Sequence, residues 1–457
     1  MTKIVRHLEE VLFSHRMIFL AAFGAITLLL AYSAADLRVD AGFTKMIPLR
    51  HEYMKTFTRY QGTFGGANRV LVAVMQREGD IFNPDFFKVL KQVTDDVFFL
   101  PGVDRPSVTS LFTPNVRFIE VIEEGFAGGN VVPADFRGTP RDLEEVRRNI
   151  VKAGGVGRLV SNDFKGALVR AELLEIDPAT GAKLDYQAVA KQLEAIRTKY
   201  QSDGIRLHVI GFAKAVGDIT DGTRGVIAFF VVAFLITSVL LYWYSGSWKL
   251  TVLVLICAML PVVWLMGLLP VLGYGIDPLS ILVPFLIFSI GVSHAVQMAN
   301  AWKHAALGGA DGVAASRDSF RKLLVPGATA LATDALGFLV IMHIKIEMVQ
   351  ELGITASLGI ALMIITDMLV LPLLLSSVRL SKSELGKAGG REAWPDGIWR
   401  RLGRLAERRT AAVVLLASFA VLGLGLWKAQ DLQTGDLGKG VPELREDSRY
   451  NRDSAAI

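Results

Sequence analysis

Three ionisable side chains stand inside long apolar stretches of this sequence: His294, Asp334 and Asp367. Ionisable groups are costly inside a bilayer, so they normally face a protein interior and mark an ion or substrate path. A nearby carboxylate favours a charged imidazole and burial disfavours it, so the balance can place proton exchange near neutral pH. The three residues therefore form a candidate proton relay. The structural alternative is a fixed histidine–aspartate pair that only joins helices.

The depths of these residues along their helices place them in one layer. With the middle of its span near Ile290, His294 lies about four residues, or roughly 6 Å, toward the cytoplasm. Asp334 falls near the middle of the next apolar stretch, and Asp367 lies about four residues past the middle of the one after it. We therefore expect the three side chains to meet. Asp367 has a further alternative, which is to reach toward a basic loop at the membrane surface.

Other polar residues accompany this layer. Ser293 precedes the histidine, Gln297 lies one turn after it, and Thr333 precedes the first aspartate, so these three are predicted to support the relay. Gln297 is predicted to hydrogen-bond between helices and not to bind an ion. Asn300 is offset from that face. Asp277 is predicted to be a solvated loop acid that caps the following helix.

The bulk composition is typical of membrane spans that alternate with a polar domain. The 457 residues have a mean hydropathy of +0.41 and are 52% hydrophobic, yet 20% are charged. The net charge of +5 comes from basic residues beside apolar stretches, which indicates membrane orientation and not nucleic-acid binding. The single cysteine, Cys257, excludes an intrachain disulfide and a cysteine-based metal site. No G-x-x-x-x-G-K-[ST] sequence occurs, so an ion gradient or a partner is expected to supply energy in place of ATP.

Seven apolar stretches are long enough to cross a bilayer. Their approximate bounds are 17–35, 224–244, 250–272, 278–302, 324–343, 349–378 and 410–429. The first also fits a cleaved signal peptide, but its length favours a retained span. With the N-terminus in the cytoplasm, every strongly basic loop falls on the cytoplasmic side. The linker 379–409, with nine basic and four acidic residues, carries the largest excess.

These spans divide the chain into six parts. The predicted parts are the N-terminus with the first span (1–35), a periplasmic domain (36–221), spans two to six (222–378), a basic cytoplasmic linker (379–409), the seventh span (410–429) and the start of a second periplasmic domain (430–457). The last part follows from a short internal repeat. Its aligned pairs are residues 431–434 with 36–39, Pro442 with Pro48, and Tyr450 with Tyr60. The repeat predicts the first half of a larger transporter, or a truncated product.

The large polar block is predicted to be an α+β domain. Apolar alternation predicts strands at 69–76, 166–175 and 205–210 and an extended segment at 107–111. Helices are predicted from Asn83-Pro84 to about Phe99 and from 185 to 200, and two β-α-β units of this kind favour a ferredoxin-like fold. The intervening 115–160 region is predicted to be a loop followed by a short helix from Thr139. No metal cluster, nucleophile elbow or paired-acid motif stands out, so we expect neither an enzyme nor a cofactor.

Two segments carry a family resemblance: IGVSHAVQ (Ile290–Gln297) and TALATDALGF (Thr329–Phe338). They resemble the resistance-nodulation-division (RND) superfamily, specifically its MMPL-like branch of predicted exporters. The resemblance covers essentially the whole chain. It implies a membrane α-helical bundle of one plus five spans and a seventh, with a ferredoxin-like periplasmic porter domain. The five-helix block also resembles the sterol-sensing domain of Patched-like proteins.

The sequence departs from these families at the Ser293-His294 step. Patched-like proteins carry Gly-Val-Asp-Asp at this place, and drug-efflux members carry an acidic pair. Here Gly291-Val292 is followed by serine and histidine. The resemblance therefore implies that His294, together with Asp334, replaces the acidic relay. Its partner residues on a tenth span would lie beyond Ile457.

The resemblance implies proton-motive-force-driven export of hydrophobic or amphiphilic compounds, including lipids, across or out of the inner membrane. The expected partners are the hydrophobic substrate, membrane lipids, a C-terminal half or second half-transporter, and a homo-oligomer or periplasmic adaptor. Two alternatives remain open at this point. One is a sterol- or lipid-sensing module that does not transport, and the other is a protein-export auxiliary of the same superfamily. Sodium is an alternative coupling ion.

Overall fold

The chain folds into two compact units. The computed structural model describes residues 3–38, 45, 51–64, 68–123, 125–176, 181–182, 184–277, 279–380, 396–433, 440–441 and 444–457. One unit contains Met1–Asp40 and Gly225–Gly435, and the other contains Ala41–Arg224 and Asp436–Ile457. Most of the long apolar helices belong to the first, which we call the membrane unit. The second, which holds the β-sheets, is called the polar unit.

The membrane unit starts with an amphipathic helix, α1 (Lys3–Ser14), followed by the apolar helix α2 (Arg16–Ser33). The apolar side of α1 packs on Phe320 of the same unit. Glu9 on α1 is buried, and its two carboxylate oxygens accept hydrogen bonds from Arg321 at 2.5 and 2.7 Å. This bidentate pair holds α1 against the bundle.

The polar unit alternates between helices and strands. Its elements are α3 (Glu52–Phe64), β1 (Arg69–Gln76), α4 (Pro84–Phe98), β2 (Val103–Thr109), β3 (Arg117–Ile122), β4 (Gly125–Asn130), α5 (Pro140–Lys152), β5 (Gly166–Leu173), α6 (Tyr186–Tyr200) and β6 (Ile205–Gly211). Asn83, Thr139 and Asp185 start three of the helices, because each side chain accepts a hydrogen bond from the backbone N–H three residues later. The strands and helices predicted in 69–99 and 166–210 are thus present, and their ends lie within two residues of the predicted ones.

Four strands form one antiparallel sheet in the order β2–β5–β1–β6. Val70, Val72 and Val74 of the central strand β1 are buried in its core. Leu90 of α4 and Leu193 of α6 belong to the same core, so both helices cover the sheet. Strand β6 lies at one edge of the sheet, where backbone N–H groups without a neighbouring strand need other partners.

The structure corrects the prediction of a loop in the first part of 115–160. Strands β3 and β4 form a separate antiparallel hairpin, with Arg117 opposite Asn130. The pattern was missed because β4, GFAGGN, is half glycine, and glycine is a poor strand former. Ile119, Val121 and Phe126 of this hairpin are exposed. The helix predicted from Thr139 is present as α5.

Most of the remaining helices are long and apolar. They are α7 (Phe212–Ser245), α8 (Trp248–Val271), α9 (Val283–Leu307), α10 (Gly312–Ile341), α11 (Glu347–Ile365), the short α12 (Leu371–Leu375) and α13 (Asp396–Gly403), and α14 (Arg408–Ala429). A π-helical turn, Thr366–Val370, joins α11 to α12. Seven helices in the described chain are long and apolar enough to cross a membrane, as predicted. Helix α10 starts at Gly312, well before the predicted span that begins near residue 324, because Asp311 caps it.

Close backbone contacts pack these helices. A Cβ on Gly267 of α8 would come within 2.0 Å of Leu30 O on α2, so only glycine allows this approach. Trp264 Nε1 donates to Thr27 Oγ1 at 2.9 Å along the same contact. Gly291 of α9 brings its backbone close to Ala258 of α8. Helix α2 is therefore an integral part of the bundle. Helix α14, by contrast, is exposed along nearly its whole length.

The C-terminal segment, which was predicted to start a second periplasmic domain, packs on the polar unit in the described part of the chain. Helix α15 (Arg449–Ala456) belongs to the same compact unit as 41–224. Its Asp453 Oδ2 accepts a hydrogen bond from the Val209 N–H at 3.1 Å, and its Tyr450 hydroxyl accepts one from the Gly211 N–H at 3.1 Å. The helix thus supplies the partners that the edge strand β6 lacks. The aligned residues Val39, Pro48, Thr434 and Pro442 lie outside the described residues.

Asp453 also anchors this helix by charge. It accepts a hydrogen bond from Arg197 Nη2 at 2.5 Å and one from His208 Nδ1 at 2.8 Å. Burial raises the pKa of Asp453, but the bonds from His208 and Val209 and the charge of Arg197 outweigh burial and hold that pKa below its usual value. The carboxylate therefore stays charged, and it balances a guanidinium that is itself fully buried.

Candidate intramembrane site

Helix α9 presents a polar stripe on its exposed side. Ser289, Ser293 and Gln297 are exposed and follow one another at intervals of four residues, which places them on one helix face. His294, next to this stripe, is half-buried, and its Nδ1 lies 3.2 Å from Ile290 O. Because a carbonyl oxygen can only accept, Nδ1 carries the proton in this contact.

Helix α10, which packs against α9, also carries exposed polar residues. Thr329 and Thr333 are exposed one turn apart, and Thr333 Oγ1 donates to Thr329 O at 2.9 Å. Asp334 is exposed beside them. In the part of the chain that the structure describes, no group forms a hydrogen bond or an ion pair with the Asp334 carboxylate. Ser289 and Thr329 were not singled out from the sequence; their spacing of four from Ser293 and Thr333 was the available signal.

Asp367 occupies a different environment, inside the bundle. It is fully buried, and neither of its carboxylate oxygens has a hydrogen-bond partner in the described part of the chain. It lies near Cys257 of α8, within the π-helical turn that follows α11. Pro372 explains that turn, because a proline lacks the N–H that would continue the regular ladder. Turns of this kind are frequent at functional sites.

The structure does not bring the three predicted relay residues into contact. Among the described residues, no hydrogen bond or ion pair joins any two of His294, Asp334 and Asp367. Two are at the surface of the bundle and one is inside it, because the helices are rotated so that the aspartates of α10 and of the π turn face different ways. Among the described residues, neither Asp334 nor Asp367 therefore forms a fixed pair with His294. Complete burial also excludes the alternative that Asp367 reaches toward the membrane surface.

Two neighbouring polar residues also differ from expectation. Asp277 was predicted to be a solvated cap; it does cap, because its Oδ1 accepts from the N–H groups of Leu279 and Ser280, but it is buried. Asn300 borders a small apolar cavity between α7, α8 and α9, together with the buried Lys303. Within the described residues, no cluster of three or more histidine, cysteine, aspartate or glutamate side chains is arranged to hold a metal ion.

The model of the MMPL family matches residues 133–413, which is more than half of the chain. The chain belongs to the MMPL family. This confirms the RND/MMPL-like relationship indicated by the segments around His294 and Asp334 and makes the chain a multi-pass membrane protein. A membrane protein of Methanocaldococcus jannaschii is 19% identical to this MMPL-family chain over 367 residues, an alignment covering 77% of this chain and 87% of that protein.

Proposed function

We propose that this MMPL-family protein is a proton-driven, RND-type exporter of hydrophobic or amphiphilic compounds, lipids among them. The observation that carries the proposal is Asp367. An unpaired carboxylate removed from water is so unfavourable that it binds a proton or a cation, or gains a partner when the helices move. A buried acid on a π-helical turn is therefore a group whose proton occupancy can be coupled to helix movement.

His294 and Asp334 act in this proposal at an interface with a second transporter half. An aspartate exposed to hydrocarbon near the middle of a span costs roughly 2.5–3.5 kcal/mol on insertion scales. The exposed polar stripe of α9 and the Thr329–Asp334 segment of α10 therefore fit a protein surface better than lipid. The second half is either the C-terminal half of a longer chain or a second copy. His294 exchanges the proton, and Ser293, Gln297 and Thr333 support it by hydrogen bonding across that interface.

The proposed location is the inner membrane, with the N-terminus and the 379–409 linker in the cytoplasm. The polar unit is proposed to be a periplasmic, ferredoxin-like porter domain. Its support is the β-α-β-β-α-β order of the elements β1, α4, β2, β5, α6 and β6, together with the sheet order β2–β5–β1–β6. The hydrophobic substrate, membrane lipids and a homo-oligomer or periplasmic adaptor are the proposed partners. We propose neither an enzymatic activity nor a cofactor.

The residue roles can be tested with the full chain in proteoliposomes, by following the release of a fluorescent amphiphile under an imposed pH gradient. The variants are His294→Ala, Asp334→Asn and Asp367→Asn. Each is expected to lower gradient-driven export at least tenfold, because one proton-binding group is removed. His343→Ala is the matched control, since His343 Nδ1 makes the same kind of contact, with Val340 O at 3.2 Å, on an exposed residue just past the end of α10. Undiminished export in all three variants would refute the relay.

A second measurement separates export from lipid sensing. A sensing module binds the amphiphile equally well with and without a pH gradient, and the Asp367→Asn variant leaves that binding unchanged. An exporter accumulates the amphiphile on one side only when the gradient is present. The lipid-sensing alternative is therefore favoured by binding without net movement.

A further inference from the structure

Helix α15 and strand β6 together line an open cavity of about 300 Å³ in the polar unit. Basic side chains dominate its lining: Arg206 and His208 come from β6, and Arg449 and Arg452 come from α15. Arg206 and His208 are two residues apart on one strand, so they point to the same side of the sheet. Docking of α15 therefore brings three arginines from segments more than 240 residues apart in sequence to one concave surface.

The acid at the back of the cavity does not neutralise these arginines. Asp453 also lines the cavity, but its oxygens accept bonds from Arg197, Val209 and His208. Its charge is thus balanced by Arg197, which is buried and is not part of the cavity lining. The Asp453 carboxylate therefore forms part of the cavity wall and does not balance the charge of the lining arginines.

Two of the three arginines make no ion pair or hydrogen bond within the described residues. Arg206 and Arg452 are exposed, and in the described part of the chain their guanidinium groups form neither an ion pair nor a hydrogen bond. Arg449 pairs with Glu194 at 2.9 Å, and that glutamate also lies 3.2 Å from Lys214. The cavity therefore carries an excess of positive charge.

His208 adds a directional group to this surface. Its Nδ1 donates to the charged Asp453, so the proton sits on that nitrogen and Nε2 is left for a ligand. The guanidinium groups beside it form the kind of donor set that binds phosphate oxygens.

We propose that this cavity binds a phosphate group, either as free phosphate or on an anionic lipid headgroup. Its volume lies at the lower end of ligand pockets and exceeds what a single ion fills, so it has room for the groups attached to a phosphate. The proposal is independent of the export cycle, because it rests only on residues of the polar unit. The proposed anion site lies where helix α15 packs against strand β6.

The test is isothermal titration calorimetry on the purified full chain at constant ionic strength. Three probes are compared: inorganic phosphate, short-chain phosphatidylglycerol and short-chain phosphatidylcholine. The Arg206→Gln/Arg452→Gln double variant removes two guanidinium groups that form neither an ion pair nor a hydrogen bond with the described residues, so it is expected to fold. The Arg141→Gln/Arg158→Gln double variant removes the same charge from exposed positions outside the cavity lining and is the matched control.

Phosphate or phosphatidylglycerol is expected to bind the wild-type chain and the control within twofold of each other, and the cavity variant at least tenfold more weakly. Binding of both probes means that the phosphate group alone is recognised; binding of phosphatidylglycerol alone assigns the site to a lipid headgroup. Equal affinity in the cavity variant, equal binding of phosphatidylcholine, or no binding of any probe overturns the proposal. Unchanged amide exchange in β6 verifies that the variant is folded.

Discussion

Replacing Asp453 by alanine should release helix α15 from the edge of the sheet. The substitution removes the acceptor of three hydrogen bonds and leaves Arg197, whose side chain is 1% exposed, without its nearest carboxylate. Breaking a buried ion pair costs roughly 3–5 kcal/mol. Glu194 Oε2 remains 3.4 Å from Arg197 Nη1, so we expect the lower end of that range, about 3 kcal/mol.

Hydrogen exchange measured by mass spectrometry reports this loss directly. At 1.4 kcal/mol for each factor of ten, amides of β6 such as Val209 and Gly211 should exchange about 100-fold faster in the variant. Peptides from β2, at the opposite edge of the sheet, should change much less. Asp447→Ala is the control, because that acid is exposed in the same segment. Equal protection of β6 in wild type and Asp453→Ala would refute the docking of α15.

Three further outcomes follow from the same contacts. Gly267→Ala should lower the midpoint of thermal unfolding, because its Cβ would meet Leu30 O at 2.0 Å, whereas Gly291→Ala, with its nearest contact at 3.4 Å, should leave the midpoint nearly unchanged. Glu9→Gln should speed amide exchange in α1, since it removes the charge that holds Arg321; unchanged exchange would contradict the anchor. The pKa of Asp453 is lowered on folding, so its contribution to stability is present above its unfolded pKa and is lost only as the pH falls through the lower folded value. Protection of β6 should therefore stay constant from pH 7 to about pH 5 and decrease in more acidic buffer.

Local patterns predicted most of the fold. The alternation in Arg69–Gln76 identified a central strand, and Asn83-Pro84 identified a helix start, because both signals act over a few residues. Seven spans followed from hydropathy alone, since a bilayer requires about 20 apolar residues in a row. The glycine-rich strand β4 carried too few strand-forming side chains to be recognised.

The place of the C-terminal helix could not be read from local pattern. Asp453 and Arg197 are 256 residues apart, and neither lies in a sequence motif that predicts contact with the other. The repeat aligned Tyr450 with Tyr60, but an aligned position in sequence does not state which sheet a segment covers. Only the three-dimensional arrangement shows that Tyr450 and Asp453 complete the edge of β6.

The sequence predicted how deep each candidate relay residue lies in the membrane, but not which way its side chain points. Counting residues along a helix gives the height of His294, Asp334 and Asp367 in the membrane. Which way each side chain points depends on the rotation of its helix, and a rotation of 100° separates adjacent residues. The π-helical turn before Pro372 changes that rotation locally, so Asp367 faces inward while Asp334 of the neighbouring helix faces outward.

We propose that a proton gradient drives export, and ionophores test this coupling most directly. Proteoliposomes that contain the wild-type protein are loaded with the fluorescent amphiphile. The net movement of the amphiphile is measured after a protonophore or a sodium ionophore is added. Collapse of the proton gradient should stop net movement, whereas collapse of a sodium gradient of equal size should leave it unchanged. Export that persists without a proton gradient, or that stops only when the sodium gradient is lost, would contradict the account.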